Sequence, residues 1–310
     1  AAEAPGHRSN VSAAFSNGDA AELAARYEED GFVALPCLLT AGALRNAQSA
    51  ANDLIRKRCR SFPASWLLGL HQLNQPSPQS WILSIATDPT VCALLSRVLH
   101  DSPVLISSQL FVKLPACEKD SDESCEAVPW HQDATASGHT ITLWIALDDM
   151  HPTGSNGALI LLPGLHRNGA LPTEPCVATS AAFDRIRPDL IQTHLPRAVR
   201  YTFAAGCAGL HGPYTPHSSA ANVSNRPRRV LVLRYCAEGA AVVKGEMLWG
   251  PSGEVARAGS EPRHQIPCWS TGEFIDRRAV LCAGVRGVAE SATGRSYTRI
   301  SALASRMPST

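Results

Sequence analysis

The chain has 310 residues, 45% hydrophobic and 18% charged, the profile of a packed core of one or two domains and not of a disordered tail. Its 28 Lys and Arg against 27 Asp and Glu leave a formal charge of +1, which disfavours dedicated binding to a phosphate backbone. No uninterrupted apolar stretch reaches the roughly 18 residues of a spanning helix, which excludes a membrane-embedded protein.

Residues 1–18 are small and polar and read as a frayed end. Residues 19–60 read as two helices around the short strand FVALP, with Asp19 as N-cap of the first and Gly31 just past its end. In the second, Leu44, Ala47, Ala51, Leu54 and Ile55 keep helical spacing. DPTVCALLSRVLH, residues 88–100, predicts a further helix with an Asp cap and Pro at its first position. From residue 104 the texture changes to short β-branched runs bounded by Gly, Pro, Asn or Asp, which read as strands. Asn156-Gly157 lies between two of these runs and is a hairpin signal. One strand, ITLWIAL, separates cleanly: Ile141, Leu143, Ile145 and Leu147 share the face expected to meet helices, and Thr142, Trp144 and Ala146 share the other. Many short strands after a helical start predict a mostly β domain, sandwich or barrel, braced by N-terminal helices. The expected organisation is a single domain over 1–310: a flexible 1–18, helical support over 19–103, a β-core over 104–240 and a C-terminal extension over 241–310.

Ten cysteines are scattered without a C-x-x-C pair, so a zinc ribbon is not expected. They read as buried free thiols in a reducing, cytoplasmic setting, with Cys117 and Cys125 able to pair only in an oxidising one.

His131 and Asp133 form the one H-x-D of the chain. Composition alone gives roughly one H-x-[DE] by chance, so context carries the argument. VPWHQDA reads as the start of a strand, where residues i and i+2 face one side and can address one metal. Two histidines and a carboxylate leave three positions of an octahedron open, the arrangement of non-haem iron(II) oxygenases. A second histidine is needed from further along, and both His211 and His217 are candidates.

The run WHQD, TLWIALDD, NGALILLPGLH and HSSAANVSNRPRR, over about residues 104–236, resembles the phytanoyl-CoA dioxygenase family of iron- and 2-oxoglutarate-dependent oxygenases. The opening YEEDGFVALPCLLTAGAL is similar to that family's N-terminal helix and strand. The resemblance implies a double-stranded β-helix, the jelly-roll or cupin-like core. In the family the distal histidine is followed by serine two residues on, asparagine five on and the 2-oxoglutarate arginine eleven on. His217 has Ser219, Asn222 and Arg228 there, whereas His211 lacks all three, so the resemblance selects His217 as ligand and leaves His211 as a pocket-wall or core residue. It likewise places Arg228, Ser219, Lys113, Gln109 and Trp144 against the cosubstrate. A guanidinium fork suits the planar far carboxylate of 2-oxoglutarate. Arg229, on the opposite strand face, is expected to be solvated, and His166 structural or pocket-lining. One departure is Cys207, after Gly206, where the family usually has aspartate.

The chemistry implied uses Fe(II), 2-oxoglutarate and O2, yields succinate and CO2, and hydroxylates, desaturates or cyclises a small-molecule substrate. No halide site is expected, because Asp133 is a carboxylate and not Gly or Ala. Residues 115–129 and 172–196 are candidate lids or solvated loops, and residues after 241 match no usable motif. A monomer with neither nucleic-acid nor membrane partners is expected. Three other readings stand beside this one: a cupin-like metal-dependent hydrolase or isomerase not using 2-oxoglutarate, a binding module with a decayed site, and oxidation of nucleic acid or protein side chains. Arg228 argues against the first, since such a protein has no need of it.

Overall fold

The computed structural model describes residues 10–12, 17–58, 81–115, 127–133, 140–176 and 184–237, and four dipeptides beyond them at 248–249, 255–256, 266–267 and 274–275. Most of residues 1–18, the Cys117/Cys125 pair, most of the acidic loop 115–129 and nearly all of 241–310 lie outside the described residues, while residues 10–12, expected to be frayed, are held by a Val11–Leu39 bridge and by Ser12 N donating to Leu38 O at 2.8 Å.

The chain begins with α1 (Asn17–Asp30), which buries Ala20 and Leu23. Asp19 lies in its first turn and is not its cap, because the helix starts two residues earlier. Gly31 ends it with φ +83°, its N–H bonded to Tyr27 O at 2.8 Å. Then follow β1 (Phe32–Cys37), α2 (Ala41–Arg58), α3 (Trp81–Ala86) and α4 (Pro89–Leu99). Asp88 caps α4 by accepting from Thr90 N at 2.9 Å, with Pro89 in the first position, as the sequence predicts. The short α3 is a finding that six residues of apolar pattern could not signal.

The strands that follow are β2 (Pro103–Lys113), β3 (Val128–His131), β4 (Thr140–Ala146), β5 (Leu159–Leu161), β6 (Thr173–Glu174) and β7 (Arg185–Ile186). After α5 (Pro188–Ile191) come β8 (Val199–Arg200), β9 (Cys207–His211), β10 (His217–Ser219) and β11 (Arg228–Ala237). They form two main antiparallel sheets, one of five strands in the order β1-β9-β4-β11-β2 and one of four in the order β3-β10-β5-β8. The fold is therefore mostly antiparallel β with a few helices. β1, expected to belong to the helical support, is an edge strand of the larger sheet.

Alternation on β4 works as read. Ile141, Leu143, Ile145 and Leu147 join a core with Leu94 and Leu95 of α4, Ala47 and Ala51 of α2, and Leu231 and Leu233 of β11. The opposite face, with Trp144, Ala146, Val230 and Val232, meets Leu159 and Leu161 of the smaller sheet and Tyr201. Burying each such aliphatic side chain contributes about 1.5–3 kcal/mol, which fixes the register on both faces. Gly209 is needed here, since a Cβ on it would lie 2.6 Å from the Tyr201 ring. Part of the loop 172–196 is ordered by the β6–β7 pair and packs Ile186 and Ile191 with Leu162, Leu165 and the half-buried Trp130, so those residues are not solvated.

Two expectations are corrected. Asn156-Gly157 does form a turn, but β4 and β5 on its two sides belong to different sheets, so it is a crossover and not a hairpin. The thiols are not uniformly free either: register sets Cys37 opposite Cys207 at a bulge, and a disulfide joins them, while the buried Cys92 thiol donates to Ala86 O at 3.8 Å. Among the described residues no helix is long and apolar enough to cross a membrane.

Candidate active site

The smaller sheet assembles the first cluster. His131, at the end of β3, is the direct cross-strand partner of His217 on β10, and their ring centroids are 4.1 Å apart. Asp133 is not on the strand, as expected from the sequence, but two residues beyond its end. Its orientation comes from neighbours. Gln132 between the two residues is tied down by donating to Gly169 O (3.0 Å) and Tyr214 O (2.6 Å) and accepting from Leu171 N (2.8 Å). One ligand atom from each of His131, Asp133 and His217 falls within 4.8 Å of the others, a group able to hold a metal ion.

The protonation states suit that task. Nδ1 of His131 lies 2.9 Å from Pro129 O, and Nδ1 of His217 lies 2.9 Å from Thr215 O. A carbonyl only accepts, so each Nδ1 carries the proton and each Nε2 keeps a lone pair for a cation. Burial pushes the His131 imidazole down to about 3, helped by His217, and the His217 imidazole down to about 4, so both are neutral at pH 7. Burial alone would raise the Asp133 carboxyl, but the Arg234 guanidinium, with His211 beside it, holds it well below the usual carboxylate range. Two neutral imidazoles and a carboxylate, with no thiolate, are a donor set suited to iron(II). Thr215, whose carbonyl orients His217, donates its own hydroxyl to Gly31 O at 2.6 Å, so the end of α1 fixes the turn before β10.

A second cluster lies two residues along β10. Ser219 Oγ accepts from Lys113 Nζ at 2.8 Å, and Lys113 is wholly buried. Arg228, opposite Lys113 in the β11–β2 ladder, is also buried and donates through Nη2 to Gly157 O at 3.0 Å. Gly157 has φ +75°, and a Cβ there would meet Lys113 Cδ at 2.8 Å. Two cations thus share a dry corner beside the histidines. Asn222 braces the connection by donating to Lys113 O (3.1 Å) and Arg226 O (2.7 Å).

The inner face of the larger sheet spans both clusters in rows. Lys113 and Arg228 form one row, Phe111, Val230 and Ala146 the next, Gln109, Val232, Trp144 and Gly209 a third, and Arg234, Thr142, His211 and Phe32 the fourth. Trp144 is packed among aromatics, with ring centroids 5.8 Å from Tyr201 and 6.0 Å from Phe203. Gln109 is buried and accepts from Arg234.

His211 is buried, 3.9 Å from Asp133 Oδ2, with its ring 4.8 Å from that of His217, so it borders the first cluster. His166 lies against the end of α1, with Nε2 3.2 Å from Glu28 O. Arg229 is corrected from a solvated residue to a buried one: on the outer face it pairs with Asp148 and donates to Asn52 Oδ1 at 2.6 Å. Sequence reasoning missed Arg234, which reaches Asp133 at 3.1 Å, although its even spacing from Arg228 on β11 marks it as facing the same way.

The comparisons agree with this picture. A search of curated proteins finds no match. Among solved structures the chain is similar to the non-haem α-ketoglutarate-dependent epimerase SnoN from nogalamycin biosynthesis, at 23% identity and TM-score 0.58 over 84% of this chain and 98% of that one. It is similar to the α-ketoglutarate-dependent carbocyclase SnoK from the same biosynthesis, at 22% identity and TM-score 0.57 over 82% of this chain and 93% of that one. A third is the non-haem monooxygenase ThoJ, at 22% identity and TM-score 0.58 over 92% of this chain and 100% of that one. At these identities the likeness is one of fold. The model of the phytanoyl-CoA dioxygenase (PhyH) family matches residues 27–230, which contain both clusters, and on that match the chain belongs to this family of non-haem iron, 2-oxoglutarate-dependent enzymes.

Proposed function

We propose that the protein is an Fe(II)- and 2-oxoglutarate-dependent dioxygenase that oxidises a small molecule, releasing succinate and CO2. His131, Asp133 and His217 are the residues that hold the metal in this reading. Arg228, Lys113 and Ser219 bind the far carboxylate of 2-oxoglutarate, while Gln109 and Trp144 wall the space between. We read the two facing sheets as the double-stranded β-helix of a single oxygenase domain. The observation that carries the proposal is adjacency: a buried cationic corner, Lys113 Nζ on Ser219 Oγ, lies two residues along β10 from His217.

The bound iron, with 2-oxoglutarate and O2, supplies the oxidising power for removing a substrate hydrogen. The chain's own residues do the rest. The neutral His131 and His217 and the ionised Asp133 present three donors on one side. The two cations hold a dianionic cosubstrate by charge-assisted hydrogen bonds, strongest where water is excluded. Trp144, Val230 and Val232 keep the interior dry. Hydroxylation is the default outcome, with desaturation or ring closure reachable from the same start. SnoN is an epimerase and SnoK a carbocyclase, so one fold serves more than one reaction.

The test is 2-oxoglutarate binding to the Mn(II)-loaded protein, followed by substrate-dependent succinate release across a metabolite library. Saturable binding is expected. Absence of binding to a protein that does take up Mn(II) would favour the cupin-like hydrolase or isomerase reading.

A further inference from the structure

The two oxygens of Asp133 have different surroundings. Oδ1 faces His131 Nε2 at 3.9 Å, on the side of the ligand cluster. Oδ2 accepts from Arg234 Nη2 at 3.1 Å and has His211 Nε2 3.9 Å away. Arg234 does not reach Oδ2 as a loose side chain: its Nη1 donates to Oε1 of the buried Gln109, so the planar guanidinium spans two fixed acceptors. This restraint matters because Asp133 lies two residues past the end of β3, beyond the last pair of the β3–β10 ladder among the described residues.

Arg234 is not a second anchor for the cosubstrate's far carboxylate. It shares the inner face with Arg228 but stands six residues along β11, a separation of about 20 Å of strand, longer than a five-carbon diacid.

We propose that Arg234 is a positioning residue that reserves Oδ2 of Asp133, so that Asp133 meets the metal through Oδ1 alone. A carboxylate free to turn can chelate with both oxygens and take one of the three positions that cosubstrate and oxygen need. Gln109 completes the device by aiming the guanidinium. The assignment rests on reading His131, Asp133 and His217 as the metal site.

The experiment compares wild type, Arg234→Met and Arg234→Lys by the visible absorption of bound Co(II) and by anaerobic 2-oxoglutarate titration of the Fe(II) protein. Arg234→Met is expected to alter the Co(II) spectrum and to raise the 2-oxoglutarate concentration for half-saturation about tenfold, in the range typical for partners of metal ligands. Arg234→Lys keeps the charge and loses the fork. A shift of both readouts in the same direction in this variant assigns the effect to geometry and not to lost charge. Wild-type spectra and half-saturation in the Met variant overturn the proposal. Should that variant fail to fold, the Lys variant decides by the same criteria. If the His131→Ala variant takes up Co(II) as well as the wild type does, the metal reading itself falls, and this assignment with it.

Discussion

Lys113 and Ser219 lie 106 residues apart in the chain, yet Nζ of the first donates to Oγ of the second at 2.8 Å, joining the larger sheet to the smaller one. The same ammonium also donates to Ser219 O at 3.2 Å and to Ala220 O, so it is held against β10 and the residue that follows it. Lys113→Met keeps the length and apolar stem of the side chain and removes the donor. Loss of a charge-assisted hydrogen bond, about 1.5–3 kcal/mol, predicts a 2-oxoglutarate half-saturation raised at least tenfold. Titration of the Fe(II) protein measures it, and an unchanged value removes Lys113 from the cosubstrate site.

The adjacent arginines predict opposite phenotypes. Arg228→Ala should chiefly raise the 2-oxoglutarate requirement. Arg229→Ala strands Asp148 on the outer face and should cost about 3–5 kcal/mol of stability, with the requirement for 2-oxoglutarate unchanged. Chemical denaturation and cosubstrate titration on both variants separate the two roles, and exchanged phenotypes would show that the faces have been misassigned.

His131→Ala and His217→Ala should each abolish turnover. They should also remove metal-dependent stabilisation, which for the parent protein at a hundredfold excess of Mn(II) over its Kd is about 2.7 kcal/mol. Thermal melts with and without Mn(II) provide the comparison. A full Mn(II) shift surviving in both variants contradicts the assignment.

Gly157→Ala should both destabilise and weaken 2-oxoglutarate binding. The residue has φ +75°, and its new Cβ would lie 2.6 Å from Ala220 O and 2.8 Å from Lys113 Cδ. Strain of about 1–3 kcal/mol is expected, together with displacement of the lysine. Wild-type melting and wild-type titration together would show that the backbone adapts at no cost.

What the sequence makes legible is local. Period-two alternation in residues 141–147 sorts β4 into its two faces, and Asp88-Pro89 marks the start of α4. The ligand candidates follow from residue types and the spacing of the family motif. What is not legible depends on partners far along the chain. Arg229 reads as solvated because Asp148 lies 81 residues away and Asn52 177. Asn156-Gly157 has hairpin chemistry, but tertiary context sends its flanking strands into different sheets. Arg234 acquires meaning only when register sets it across from Thr142 and, one strand further, His211.

The order of the larger sheet has a consequence for biosynthesis. β11 is the last strand of the two main sheets to leave the ribosome, yet it occupies the slot between β4 and β2. Until residue 237 has emerged, both of those strands keep a raw hydrogen-bonding edge, and a nascent chain in that state is sticky toward its neighbours. A fragment ending before residue 228 therefore belongs in inclusion bodies or in the hands of a chaperone, even though it already carries His131, Asp133 and His217.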